Sequence, residues 1–366
     1  MTRNFNALWK KGDFLTTRKA INLKMLSQTL GLSQTTVSRA LNGFPEVAEK
    51  TRARVIEAAE RLNYRPSPSA ASLATGKSLM IGHVVSLSEH IMINPHFADF
   101  IAGAGEVYGQ NGYDVLLRLA PLEEQERIYR DLAEDQRVDG VVVHGPLTGD
   151  SRIGILNGLG LPFVVHGRSD EEGADYCWMD VNNRRAFHRA TKFLLDLGHL
   201  RIGLINGLEK MNFADRRRQG YEVALEEAGI ALDDRLLFSA DMVEPYGYRA
   251  TRALMELEQP PTAIVVASVL PAMGVTRALA DLGLRAGEDV SIIAFDDCLS
   301  FLQSGYKGSV PDIPFFTAVR SSIREAGKRV ARMLLERIDN PQAPLQSELW
   351  EADFVIGQTT APPRRH

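Results

Sequence analysis

Cysteine is nearly absent: Cys177 and Cys298 are the only two in 366 residues. They stand far apart with no partner at metal-ligand spacing, which excludes a disulfide framework and reads as buried thiols in a reducing compartment. The eight histidines contain no HExxH, and no GxSxG elbow precedes a helix. No apolar run approaches the ~20 residues of a membrane span. The first residues, MTRNFNALWKKGDFLTTRKA, lack the apolar core and small-residue cleavage site of a signal peptide. A cytoplasmic location is expected, with no metal, no cofactor and no membrane. Asp233-Asp234 and Glu226-Glu227 read as solvated surface. Asp296-Asp297 has the placement of a catalytic pair, yet nothing else supplies an acid/base couple, so an enzyme is not expected.

What is present is unevenly distributed. The formal charge is −4 overall, but residues 1–77 hold 13 Lys/Arg against 5 Asp/Glu, a charge of +8, and the remaining 289 residues carry −12. A small basic head on a large acidic body is the asymmetry of a chain whose head alone meets a polyanion.

Residues 1–19 show no period and read as a basic N-terminal arm. Residues 20–65 are helical in pattern. Leu23, Leu26 and Leu30 form one stripe; Gly31-Leu32-Ser33 breaks it, with Ser33 placed to cap a second helix, QTTVSRALN, that buries Val37 and Leu41. A third, AEKTRARVIEAAERLNY, aligns Val55, Ala58, Ala59 and Leu62. Three short helices with a glycine turn predict an all-α helix-turn-helix head. In 66–77, PSPSAASLATGK, Ser67 is a good N-cap, Pro68 suits the first turn, and Gly76 can end the helix. Two turns lie below the ~12–15 residues an isolated helix needs in water, so this segment reads as a helix that forms against a partner. Gly76-Lys77-Ser78 resembles the end of a phosphate loop, but position 71 is alanine where that pattern needs glycine.

From 78 to 361 apolar strands alternate with amphipathic helices. LMIGHVVSL, YDVLLRLA, DGVVVHG, PFVVHG, RIGLING, AIVVAS and VSIIAFDD are predicted strands. FADFIAGAGEVYGQNG, RRAFHRATKFLLDLG, RRQGYEVALEEAG and PAMGVTRALADLG are predicted helices. The pattern restarts: IGHVV, helix, NGYDVLL is echoed by IGLIN, helix, AGIALDD. An α/β core of two similar doubly wound parallel lobes with a cleft between them is expected, its ligand beyond the carboxyl ends of the strands.

GLSQTTVSRALNG, VAEKTRARVIEAAERLNYRP and ASLATGKS together resemble the lactose-repressor/galactose-repressor (LacI/GalR) family of bacterial transcription regulators. The likeness is dense over 21–78 and continues to about Gln358. It implies a periplasmic-binding-protein-like core, a homodimer, a near-palindromic double-stranded DNA operator, and a small sugar-like effector controlling a repressor. Gln34 and Thr35 open the implied recognition helix and Arg39 lies one turn beyond Thr35. The resemblance makes these the base readers, and Gln with adenine or Arg with guanine is sound pairing chemistry. Ser33, Thr36, Ser38 and Asn42 are assigned to phosphate contact or helix packing. Ala70 and Leu73 fall where the family's hinge helix packs and wedges into the minor groove.

For the cleft the resemblance implies Arg217 and Asp296 as effector-binding residues, a pair whose chemistry suits vicinal hydroxyls. Asn94, His96 and Phe97 follow the first strand where the family often supplies an aromatic wall; His166 and Arg168 end another strand. Arg216 and Arg218 read as exposed neighbours, and His83 and His144 as packed or solvent-facing. Ser268 and Val269 depart from the family's usual Asn-Asp. HGR, AFDD and FTAVRSSIREAG are similar to regulators of α-glucoside use. The alternative reading is a cytosolic sugar-binding sensor or sugar-processing enzyme without specific DNA binding.

Overall fold

In the computed structural model, the described residues are 21–41, 43–62, 64, 76–86, 95–169, 175–297 and 313–364. The chain divides into two compact units, Met1–Ser78 and Leu79–His366.

The first unit is built from α1 (Leu23–Leu30), α2 (Gln34–Leu41) and α3 (Glu49–Arg61). Asn22, ahead of the predicted stripe, caps α1 by accepting from Met25 N at 2.9 Å. Gly31 closes it at φ +65°, a left-handed conformation that glycine adopts without cost. Ser33 Oγ then accepts from Thr36 N at 3.0 Å, capping α2. Leu26, Val37, Ala40, Val55, Ala58 and Ala59 are buried in one core, with Leu23, Leu30, Leu41 and Leu62 half-buried around it. Each large apolar side chain so buried contributes about 1.5–3 kcal/mol.

Among the described residues the second unit holds two six-stranded sheets. One is ordered β11-β5-β4-β3-β1-β2 and the other β12-β10-β9-β8-β6-β7. The first comprises β1 (Met80–Ser86), β2 (Asp114–Ala120), β3 (Gly140–His144), β4 (Phe163–His166), β5 (Cys177–Val181) and β11 (Ser347–Trp350). The second comprises β6 (Ile202–Asn206), β7 (Leu237–Ser239), β8 (Ala263–Val266), β9 (Ser291–Phe295), β10 (Thr317–Arg320) and β12 (Asp353–Val355). Apart from the antiparallel β10–β12 pair, neighbouring strands are parallel. Both lobes thus share one doubly wound order, with the first strand second from the edge and a late strand added at the far edge.

Helices α4 (Pro95–Gln110), α5 (Leu122–Glu134), α6 (Ser151–Leu159) and α11 (Ile323–Asp339) cover the first sheet. Helices α7 (Asn183–Asp196), α8 (Asn212–Glu227), α9 (Glu244–Met255) and α10 (Val269–Asp281) cover the second. The chain therefore passes between lobes after β5, after β10 and after β11. Helix pairs meet backbone to backbone at glycines: a Cβ on Gly103 would stand 2.0 Å from Arg324 O, and one on Gly220 2.0 Å from Arg184 O.

All seven predicted strand runs contain a strand, and all four predicted helices are present. The restart of the pattern is also present, but the second edge strand is Leu237–Ser239; Ala228–Asp234 is an irregular connection into a short 3-10 turn. Strands β5, β7, β10, β11 and β12 lie outside the predicted strand runs.

Candidate DNA interface and ligand cleft

On the head, Val37 and Ala40 turn α2 inward, which leaves Gln34, Thr35 and Arg39 exposed on the opposite side. Thr36 and Ser38 are half-buried at the border. Ser33 Oγ is engaged by Thr36 N and by Thr36 Oγ1 at 2.8 Å, so its role within the head is to start the helix. The N-terminal end of α2, with amides lacking intrahelical partners, favours a phosphate. Asn42, Ala70, Leu73 and Asn94 lie outside the described residues.

In the body, the strand-end residues converge on two opposed walls. The wall of the second lobe centres on Arg217, only 6% exposed on α8. Its Nε donates to Asn183 Oδ1 at 2.8 Å and a terminal nitrogen donates to Ala267 O at 2.8 Å. The guanidinium lies 3.9 Å from the Phe295 ring centroid, 4.9 Å from Phe213 and 5.2 Å from Phe187. Burial lowers its pKa to about 10, opposed by the negative charges of Asp296 and Asp180.

Asp296 follows β9 at φ +50°, a left-handed backbone in a non-glycine residue. Its carboxylate is aimed by Ser321, whose N donates to Oδ1 at 2.5 Å and whose hydroxyl donates to Oδ2 at 2.8 Å. Burial pushes its pKa up to about 6 against those hydrogen bonds and Arg217. The adjacent Asp297 is fully buried and receives Arg320 through both oxygens, at 2.5 and 2.9 Å. That bidentate pairing occupies Asp297 and makes the two acids unequal.

The wall of the first lobe is aromatic and histidine-rich. His83 Nδ1 and His144 Nε2 are 2.9 Å apart, a hydrogen bond in which one ring donates to the other. Phe100 stacks on His166 at 4.2 Å, and Phe97 meets His144 edge-on at 5.5 Å. Burial lowers the pKa of His83 to about 3 and of His166 to about 4, and takes His144 well below its usual value. These rings are therefore neutral near pH 7. His83 is packed, with no exposed surface; His144 is half-buried.

Arg168 is half-buried over Trp178, its guanidinium carbon 5.4 Å from the ring centroid. Its Nε donates to Asp180 Oδ2 at 3.2 Å. Asp180 and Asn183, neither singled out in the sequence, link Arg168 to Arg217: Asn183 Nδ2 donates to Asp180 Oδ1 at 3.4 Å and to Val181 O at 3.0 Å. Arg216 is not an exposed neighbour. It is 8% exposed, donates through Nε to Asn212 Oδ1 at 2.5 Å and lies 3.9 Å from Asp180, because α8 packs two consecutive arginines against acids on the lobe junction. Arg218 is half-buried and paired with Glu222 and Glu209 at 2.7 and 2.8 Å.

The walls touch. Asn212 N donates to Pro146 O at 3.0 Å, Leu147 bridges Met211, and His96 Nε2 lies 3.0 Å from Ser268 Oγ. Among the described residues, no three His, Cys, Asp or Glu side chains form a group able to hold a metal ion. No described helix is long and apolar enough to cross a membrane.

A family model described as "Bacterial regulatory proteins, lacI family" matches residues 28–67, and one described as "Periplasmic binding protein-like domain" matches 191–360. The HTH-type transcriptional regulator AglR of Rhizobium meliloti (strain 1021) is 43% identical over 93% of this chain and 95% of its own length. The HTH-type transcriptional regulator RafR of Escherichia coli is 31% identical over 94% and 99%. Among solved structures, the lac repressor dimer bound to operator and the anti-inducer ONPF aligns with a TM-score of 0.78 at 26% identity, over 94% of this chain and 100% of that one. The CelR–cellobiose complex aligns with a TM-score of 0.67 at 27% identity, over 93% and 99%.

Proposed function

The chain belongs to the lacI family of bacterial regulatory proteins and is a DNA-binding transcription regulator, not an enzyme; from that premise we propose that it is a cytoplasmic repressor whose operator affinity is set by a neutral saccharide bound between its two lobes. Two copies of the chain would present two α2 helices to the halves of a near-palindromic operator, since protein symmetry is mirrored in the site. Gln34, Thr35 and Arg39 read bases; Thr36, Ser38 and Asn42 fix the register. Residues 66–77 are the hinge, with Ala70 and Leu73 at the minor groove.

The observation that carries the ligand class is charge balance. Arg217 is faced first by Asp296, Asp180 being shared with Arg168 and Arg216, and His144 and His166 are neutral. An anionic ligand entering here would meet an arginine already compensated, at a desolvation cost. Vicinal hydroxyls, in contrast, can donate to Asp296, accept from Arg217, and stack a sugar face on Phe97. A structural neighbour solved with a disaccharide, cellobiose, supports this class. α-Glucosides are the first members to examine, from the likeness of HGR, AFDD and FTAVRSSIREAG to regulators of their use.

The test is a thermal-shift screen of neutral mono- and disaccharides beside their phosphates and uronates, with Arg217→Ala as control. Stabilisation by neutral sugars in the parent chain alone supports the reading; stabilisation only by anions overturns it.

A further inference from the structure

We propose that His96 and Ser268 form a latch between the lobes, closed by the chain's own side chains, which an occupant of the cleft must displace. The inference rests on the reading of the cleft as a ligand site, but its test needs no ligand. His96 is the second residue of α4 in the first lobe. Ser268 precedes α10 in the second, and the two meet at 3.0 Å across 172 residues of sequence. Ser268 is 2% exposed.

The donor and acceptor roles of the two side chains are complementary. Ser268 Oγ accepts from Leu270 N at 3.4 Å as the cap of α10, so its own proton is available to the lone pair of His96 Nε2. Burial and the neighbouring Arg217 charge keep the imidazole neutral, which leaves that lone pair in place. The residue before Ser268 is Ala267, whose carbonyl holds Arg217. The latch is thus one residue from the carbonyl that holds Arg217, the group assigned to the ligand, and the Arg217 charge acts on His96 itself.

A helix cap and a latch predict different things. A cap protects its own helix; a latch protects the helix of the other lobe. Hydrogen–deuterium exchange on the intact, ligand-free chain separates them. In Ser268→Ala, amides of the first half of α4 should exchange roughly fivefold faster, the factor by which one lost net hydrogen bond shifts an opening equilibrium. In His96→Ala the start of α10 should do the same. At α4 the double variant should exceed neither single variant, because both break one contact. Ser268→Thr, which keeps hydroxyl and cap, should match the parent. Faster exchange confined to α10 in Ser268→Ala, or additive effects at α4 in the double variant, would overturn the latch.

Discussion

Replacing Arg217 with methionine keeps much of the stem and removes the charge, and its cost should depend on pH in a defined direction. The guanidinium donates to Asn183 and Ala267, each at 2.8 Å, and lies over three phenylalanine rings. Removing the guanidinium orphans two buried acceptors, at about 1–3 kcal/mol each when not rescued by water, and takes a compensating charge from Asp296, together about 3–5 kcal/mol. The Coulombic share acts on Asp296. Its carboxyl is raised from 3.8 to about 6 in the folded chain. The stability it contributes is therefore complete below the unfolded value and lost as pH rises through about 6, a cost of about 3 kcal/mol when fully ionised. Without Arg217 the carboxyl moves further up and that cost grows. Arg217→Met should lose about 4 kcal/mol at pH 7.5 and about 2 kcal/mol at pH 5, where Asp296 is protonated in both chains. Urea unfolding of the two chains at both pH values checks this, and adding Asp296→Asn should remove most of the pH-dependent difference. A loss below about 1 kcal/mol at pH 7.5, or an equal loss at both pH values, refutes the assignment of Arg217 and Asp296 as an electrostatic unit.

Arg39→Ala should lower the preference of the head for its operator over a scrambled duplex by about 1–3 kcal/mol, read by competition gel shift. Leu73→Ser should weaken operator binding in the same assay while the sugar-induced thermal shift is unchanged. Gly220→Ala places a Cβ 2.0 Å from Arg184 O and should destabilise by at least about 3 kcal/mol in thermal unfolding. Gly105→Ala, with nothing within 4 Å of the added carbon, should stabilise by up to about 1 kcal/mol. The stability of a buried neutral histidine is present above 6.5 and lost as pH falls toward the folded value, which is about 3 for His83. His83→Leu should flatten the stability profile between pH 4 and 6 by up to about 1.4 kcal/mol per pH unit; an unchanged slope would contradict the depressed pKa.

The strands that could be read directly, GVVVH, FVVH, AIVV and SIIAF, are buried on both faces and so are continuous apolar runs. CWMDV lies outside the predicted runs because it contains Asp180, an acid whose partners Arg168 and Arg216 come from other elements. SELW and DFV are short, half-exposed edges, which pairing with β5 and β10 defines more than side-chain pattern does. The resemblance points to Arg217 and Asp296, and for Asp296 its position at the end of β9 agrees with it. Asn183, which holds Arg217 from 34 residues away, has no local signature. Arg216 shows the limit of residue type as a guide: an arginine beside another arginine reads as surface until the acid across the lobe junction is in place. The Ser33 cap was legible because capping is local, as was the glycine stop after α1.

The central claim is that the state of the cleft sets the affinity of the head for a specific DNA. Fluorescence anisotropy with a near-palindromic duplex from upstream of the chain's own gene tests it, alongside a scrambled duplex at 150 mM salt and with each saccharide that the thermal screen identifies. The account predicts at least about a thousandfold preference for the palindrome and a change of roughly 5–150-fold in that affinity on saturation with the sugar. Equal affinity for both duplexes, or a palindrome affinity indifferent to every stabilising sugar, would contradict it.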